Sequence, residues 1–87
     1  MTRIVIAEDQ LIFSETLAAI LNQEKEIKVV KCVENGQILF DFLKTNKVDL
    51  ILMDVKMPVL NGIEATKLIK KMYPSIKVLR DSHLGTY

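Results

Sequence analysis

The chain has 87 residues, 49% of them hydrophobic and 26% charged, with a formal net charge of +1. That length holds one small domain. The balance excludes a disordered segment and a strongly basic nucleic-acid-binding face, and no apolar run approaches the roughly 20 residues of a membrane span. A single cysteine, Cys32, excludes an internal disulfide framework. The opening MTRIVIAEDQ meets acidic residues before an apolar core of signal-peptide length forms, so a cytoplasmic location is expected.

The periodicity alternates between strand and helix. RIVIA (3–7) is a short, β-branched apolar run of the kind buried on both faces of a parallel sheet. Phe13, Leu17, Ile20 and Leu21 then recur at helical spacing and predict an amphipathic helix from about Leu11 to Gln23. IKVVKCV (27–33) reads as a second strand, with Cys32 a small apolar strand residue. Asn35 is a plausible N-cap for a second helix marked by Leu39, Phe42 and Leu43 and ending near Asn46. DLILMD (49–54) is a third strand with a wholly apolar centre. The loop VKMPVLNG follows, and Asn61 with Glu64 three residues on resembles a capping box. Ala65, Leu68, Ile69 and Met72 carry a third helix to Tyr73, where Pro74 stops it, and IKVL (76–79) opens a fourth strand.

This β-α-β-α-β-α-β order implies parallel pairing with helices on both faces, a doubly wound α/β fold. Such sheets bind ligands beyond the carboxyl ends of their strands. The first strand ends in Glu8-Asp9 and the third in Asp54. Taken singly, each acid has a bland reading as a turn residue or as a favourable charge at a helix start. If the first and third strands are neighbours, the three carboxylates converge and repel one another, and something positive is needed between them. Oxygen donors without histidine or cysteine favour Mg2+, which leaves water positions for a phosphate to replace. The chain has no GxxxxGK[ST] loop to carry a nucleotide. The acids therefore suit metal-assisted phosphoryl transfer to or from the protein itself.

IVIAEDQ followed by DLILMDVKMPVLNGIEATKLIK closely resembles the receiver domain of bacterial two-component response regulators, in the flavour that carries a C-terminal helix-turn-helix DNA-binding domain of the LuxR type. The resemblance covers residues 3 to about 79. It implies a flavodoxin-like sheet in the order 2-1-3-4. It also implies that Asp54 accepts a phosphoryl group from a histidine of a sensor kinase. Asp9, Asp54 and the backbone carbonyl of Lys56 would hold Mg2+, and Glu8 would act through a bound water. Pro58 and Gly62 would shape the loop that carries the Lys56 carbonyl. By spacing, Ser82 falls where the family places a hydroxyl switch.

The family's last strand, with its lysine, and its last two helices have no counterpart here. Arg80 and Asp81 stand where a covered strand is apolar. The expectation is thus a partial receiver over 1–79 and an atypical tail over 80–87, in which Ile51, Met53 and Val78 lie open and the edge of the fourth strand pairs with or exchanges against a second copy. The function expected is a phospho-acceptor module with impaired phosphotransfer. It is not a turnover enzyme, and any contact with DNA would come only through a domain outside this chain. The alternative is a receiver fragment that associates or binds a kinase without phosphotransfer. A phosphatase or hydrolase reading finds no general acid just after Asp54 and no Ser-His arrangement.

Overall fold

Four parallel strands make one sheet in the order β2-β1-β3-β4. In chain order the elements are β1 (Thr2–Ala7), α1 (Leu11–Leu21), β2 (Ile27–Val33), α2 (Gly36–Leu43), β3 (Leu50–Asp54), α3 (Gly62–Met72) and β4 (Lys77–Asp81). This is the flavodoxin-like order expected from the sequence. The structure is a computed structural model that describes residues 1–54 and 62–81. No helix among the described residues is long and apolar enough to cross a membrane.

β1 lies between β2 and β3, so both its ladders are paired and both its faces are covered. Its run of unbroken apolar residues follows from that place: Ile4, Val5, Ile6 and Ala7 are all buried. The two faces bury different residues. Val5, Ala7, Val33, Ile51 and Met53 join Leu39 and Leu43 of α2 and Ala65 and Ile69 of α3 in the main core. Ile4 and Ile6 have the opposite parity and face the α1 side. β2 also departs from strict alternation. Ile4 pairs with Val29 but Val5 pairs with Lys31, so Val30 is the extra residue of a bulge. The bulge turns Val29 and Val30 both inward while Lys28 and Lys31 stay exposed.

Short polar links fix the element ends. Asn35 Oδ1 accepts from the Ile38 amide at 2.9 Å and caps α2. We expect Asn35→Ala to cost about 1 kcal/mol and to lower the thermal midpoint by roughly 5 °C, with Asn35→Asp close to wild type; thermal unfolding followed by circular dichroism checks this. Asp49 ties three strands together at their amino ends. Its Oδ2 accepts from the Arg3 amide at 2.8 Å, its own amide donates to the Arg3 carbonyl at 2.9 Å, and its carbonyl accepts from the Lys77 amide at 3.1 Å.

Two sequence expectations are corrected. Ile51 and Met53 do not lie open: both are fully buried, and Val78 is half-buried against the same core. α3 returns on the same face as α2 and covers that parity. The open residues have the other parity, on the α1 side, where Leu79 is 57% exposed and Leu50 and Leu52 are half-buried. The fourth strand also does not end at Leu79. It runs through Arg80 and Asp81, which pair with Met53 and Asp54. β4 is the sheet edge among the described residues, and Arg80 is exposed there, so the strand continues without burying that charge. The apolar stripes are narrower than the periodicity suggests. On α3, Ala65 and Ile69 meet the sheet while Leu68 and Met72 are exposed, and on α1 Ile20 is exposed as well.

Candidate functional site

Glu8 follows the last residue of β1, and its amide donates to the Val33 carbonyl at 2.9 Å, which carries the β1–β2 ladder one residue further. Asp54 is the last residue of β3. The β1–β3 register pairs Ala7 with Met53, so the next step along both strands sets Glu8 beside Asp54. Asp9 follows at the mouth. Glu8 is 0% and Asp54 2% exposed, while Asp9 faces solvent. Carboxylate oxygens of the three residues lie within 4.8 Å of one another. The sequence pattern thus names three acids that the fold brings together.

The bland reading of Glu8 accounts for half of its carboxylate. Oε1 accepts from the Gln10 amide at 2.9 Å and closes the turn into α1. Oε2 is buried and has no hydrogen-bond partner. A buried carboxylate oxygen left this way costs roughly 1–3 kcal/mol, and a turn residue has no need to retain it. Burial pushes the Glu8 carboxyl up to about 8; the Gln10 amide pulls the other way, and the neighbouring Asp9 and Asp54 carboxyls add to the rise. At neutral pH the pocket therefore holds a proton or wants a cation. The donors are all hard oxygens, and Glu8 keeps one oxygen, Oε2, without a hydrogen-bond partner. That set fits an Mg2+-sized ion with bound water and does not fit a soft metal.

Of the other residues singled out in the sequence, Gly62 opens α3. Lys56, Pro58 and Ser82 lie outside the described residues. Three local features escaped the sequence reading. The Gln10 amide donates to the Glu8 carboxylate. Ser14 is the one fully buried residue of α1; its Oγ donates to the Leu11 carbonyl at 3.0 Å, and its carbonyl receives the Cys32 thiol at 3.8 Å. Its small size lets α1 approach β2, and burial pushes the Cys32 thiol up, away from thiolate reactivity. Lastly, the backbone register places Asp81 opposite Asp54.

Comparison with known proteins gives this geometry a family. A model of the response regulator receiver domain matches residues 4–83. The chain is 46% identical over 79 residues to the transcriptional regulatory protein LnrK of Bacillus subtilis, covering 91% of this chain and 36% of LnrK. It is 40% identical over 77 residues to the transcriptional regulatory protein DegU of Brevibacillus brevis, covering 88% of this chain and 33% of DegU. Among solved structures, the response regulator domain of Thermotoga maritima CheB superposes with a TM-score of 0.84 at 34% identity, covering 92% of this chain and 59% of that one. RcsB of Salmonella typhimurium gives a TM-score of 0.84 at 26% identity, over 91% of this chain and 41% of RcsB. The chain spans about a third of the length of these two curated relatives. A shared sheet order, an acid triad at the strand ends and a family match over nearly its whole length make this chain a member of the response regulator receiver domain family.

Proposed function

We propose that this chain accepts a phosphoryl group on Asp54 from a phosphohistidine of a sensor kinase, with Mg2+ held at the acid triad. The observation that carries this reading is a buried Glu8 carboxylate with a partnerless Oε2, in a triad whose carboxylate oxygens lie within 4.8 Å of one another. Asp9 and Asp54 would bind the ion directly, Glu8 would hold it through water, and the Lys56 carbonyl would complete the protein ligands. When bound, Mg2+ neutralises charge on the transferring oxygens. The carboxylate of Asp54 attacks phosphorus in line. The P–N bond breaks, its electron pair returns to the imidazole, which takes up a proton, and an acyl phosphate forms on Asp54.

Burial keeps Asp54 away from competing water, and the register with β4 holds its backbone. Pro58 and Gly62 would shape the loop beyond it, and Ser82 would contact the phosphoryl group as a hydroxyl switch. In this reading the chain is a stoichiometric acceptor in the cytoplasm rather than a turnover enzyme. The whole protein would be a LuxR-type transcription regulator. LnrK and DegU are named transcriptional regulatory proteins, and RcsB has been solved as dimers bound to DNA. Incubation with acetyl phosphate and Mg2+ followed by intact-mass measurement tests the proposal. One added phosphoryl group, dependent on Mg2+, is expected; an unchanged mass refutes phosphotransfer.

A second reading is favoured by one observation. β4 stands at the sheet edge with Leu79 57% exposed beside half-buried Leu50 and Leu52. An association module would use that edge to bind a second copy, or would bind the kinase without accepting phosphate. Capture by the cognate kinase that survives Asp54→Asn, with no phosphoryl uptake by the wild type, would select it.

A further inference from the structure

α1 is a predominantly apolar helix. Its sequence, LIFSETLAAIL, carries one charged residue, Glu15. Its outward strip is Ile12, Glu15, Thr16, Ala19 and Ile20, all exposed, with Ile12 83% and Ile20 57% open to solvent. Ile12 and Ile20 are about 12 Å apart along the helix axis. The strip is an apolar helical ridge with an acidic centre.

The opposite face of the sheet carries its complement. α2 and α3 meet along a hollow of about 320 Å³ lined by Gln37, Phe40, Lys44, Leu68, Met72 and Tyr73. Leu68 is 41% and Met72 56% exposed. Lysines outnumber acids around it. Lys44 stands on α2, and Lys67 and Lys71 are exposed on α3 beside Leu68 and Met72. Two exposed acids temper this excess: Asp41 approaches Lys44 at 3.6 Å, and Glu64 stands one turn before Leu68 on α3. An apolar hollow with Lys44 in its wall and further lysines exposed on α3 suits an amphipathic helix with an acidic residue between its apolar anchors.

We infer that the α1 ridge of one copy seats in the α2–α3 hollow of a second copy, with Glu15 facing the Lys44 and Lys71 rim. This inference is independent of the phosphoryl reading. Because the ridge and the hollow lie on opposite faces of one sheet, the contact is head-to-tail and does not close on itself as a two-fold dimer. It builds short stacks whose length grows with concentration. The contact is small, below the roughly 1,200 Å² at the low end of stable interfaces, so the association is weak. Pairing through the β4 edge uses neither surface.

Sedimentation of the full chain from low micromolar to near-millimolar concentration tests it with two variants. Ile12→Asp removes the ridge and Leu68→Asp removes the hollow, both at exposed positions. Met72→Asp is the second hollow variant should Leu68→Asp lose its native circular dichroism. Each variant alone should associate at least about tenfold more weakly than wild type. An equal mixture should form a one-to-one pair and nothing larger, because one intact ridge meets one intact hollow. A wild type that stays monomeric throughout overturns the inference. So do variants that associate like wild type, as β4 edge pairing requires, and so does loss in Ile12→Asp alone without rescue by mixing, the mark of a symmetric α1 contact.

Discussion

Asp54→Asn is expected to reduce phosphoryl uptake from acetyl phosphate by at least about 100-fold, because the amide that replaces the carboxylate is neutral and a poor nucleophile toward phosphorus. The substitution is nearly isosteric. Asp54 is 2% exposed at the end of β3, and its backbone pairing with Asp81 of β4 does not depend on the side chain. The fold should therefore survive. The same change removes one of three carboxylates whose oxygens lie within 4.8 Å of one another, so Mg2+ affinity measured by calorimetry should fall at least about tenfold. It also takes a like charge away from Glu8, whose carboxyl should fall somewhat while burial, the larger cause, still holds it up. Metal-free Asp54→Asn should accordingly unfold at a higher temperature than metal-free wild type. A variant that loses phosphorylation together with stability would point to a packing role for Asp54 instead.

The second large effect concerns Glu8 and pH. Its carboxyl titrates near 4.5 when unfolded and is pushed up to about 8 in the fold, first by burial. The folded state then holds the proton more tightly than the unfolded state. The stabilisation from that proton is complete below about 4.5 and is lost as pH rises through about 8. Metal-free protein should thus lose stability across this window. Glu8→Gln, which cannot ionise, should flatten the profile and be more stable than metal-free wild type at pH 8.5, by on the order of 2 kcal/mol. Mg2+ should reverse the loss in wild type, adding about 1.4 kcal/mol at ten times its dissociation constant, and should do little for Glu8→Gln. Urea unfolding across pH, with and without Mg2+, reads all four conditions. Superimposable pH profiles for wild type and Glu8→Gln would contradict the buried-charge origin of the effect.

Much of the fold can be read from the sequence, for reasons visible in particular residues. β1 announces itself as a run of apolar residues because it has paired neighbours on both sides and both its faces are covered. Asn35 reads as a cap and serves as one. The acid triad is legible because the sheet order places the ends of β1 and β3 side by side. What the sequence does not convey is which parity each helix covers. Ile51, Leu52 and Leu79 look alike in a row of letters, yet α2 and α3 bury the first while Leu79 stands open. The bulge at Val30 is equally silent, since IKVVKCV fits a strand in either register. Arg80 and Asp81 look like the end of a strand because charge is expensive inside a covered sheet. At an edge that cost disappears, and the pairing with β3 carries on. The orphaned oxygen of Glu8 likewise depends on three-dimensional burial that no spacing rule supplies.

Borohydride trapping locates the acceptor most directly. Treating the protein with acetyl phosphate and Mg2+ and then with borohydride reduces an aspartyl phosphate to homoserine, which peptide mass spectrometry assigns to a residue. Homoserine at position 54, formed only when Mg2+ is present and absent from Asp54→Asn, is the expected outcome. Homoserine at position 9, a stable phosphate on Ser82, or equal conversion without Mg2+ contradicts the assignment of the triad as a metal-assisted phosphoryl site.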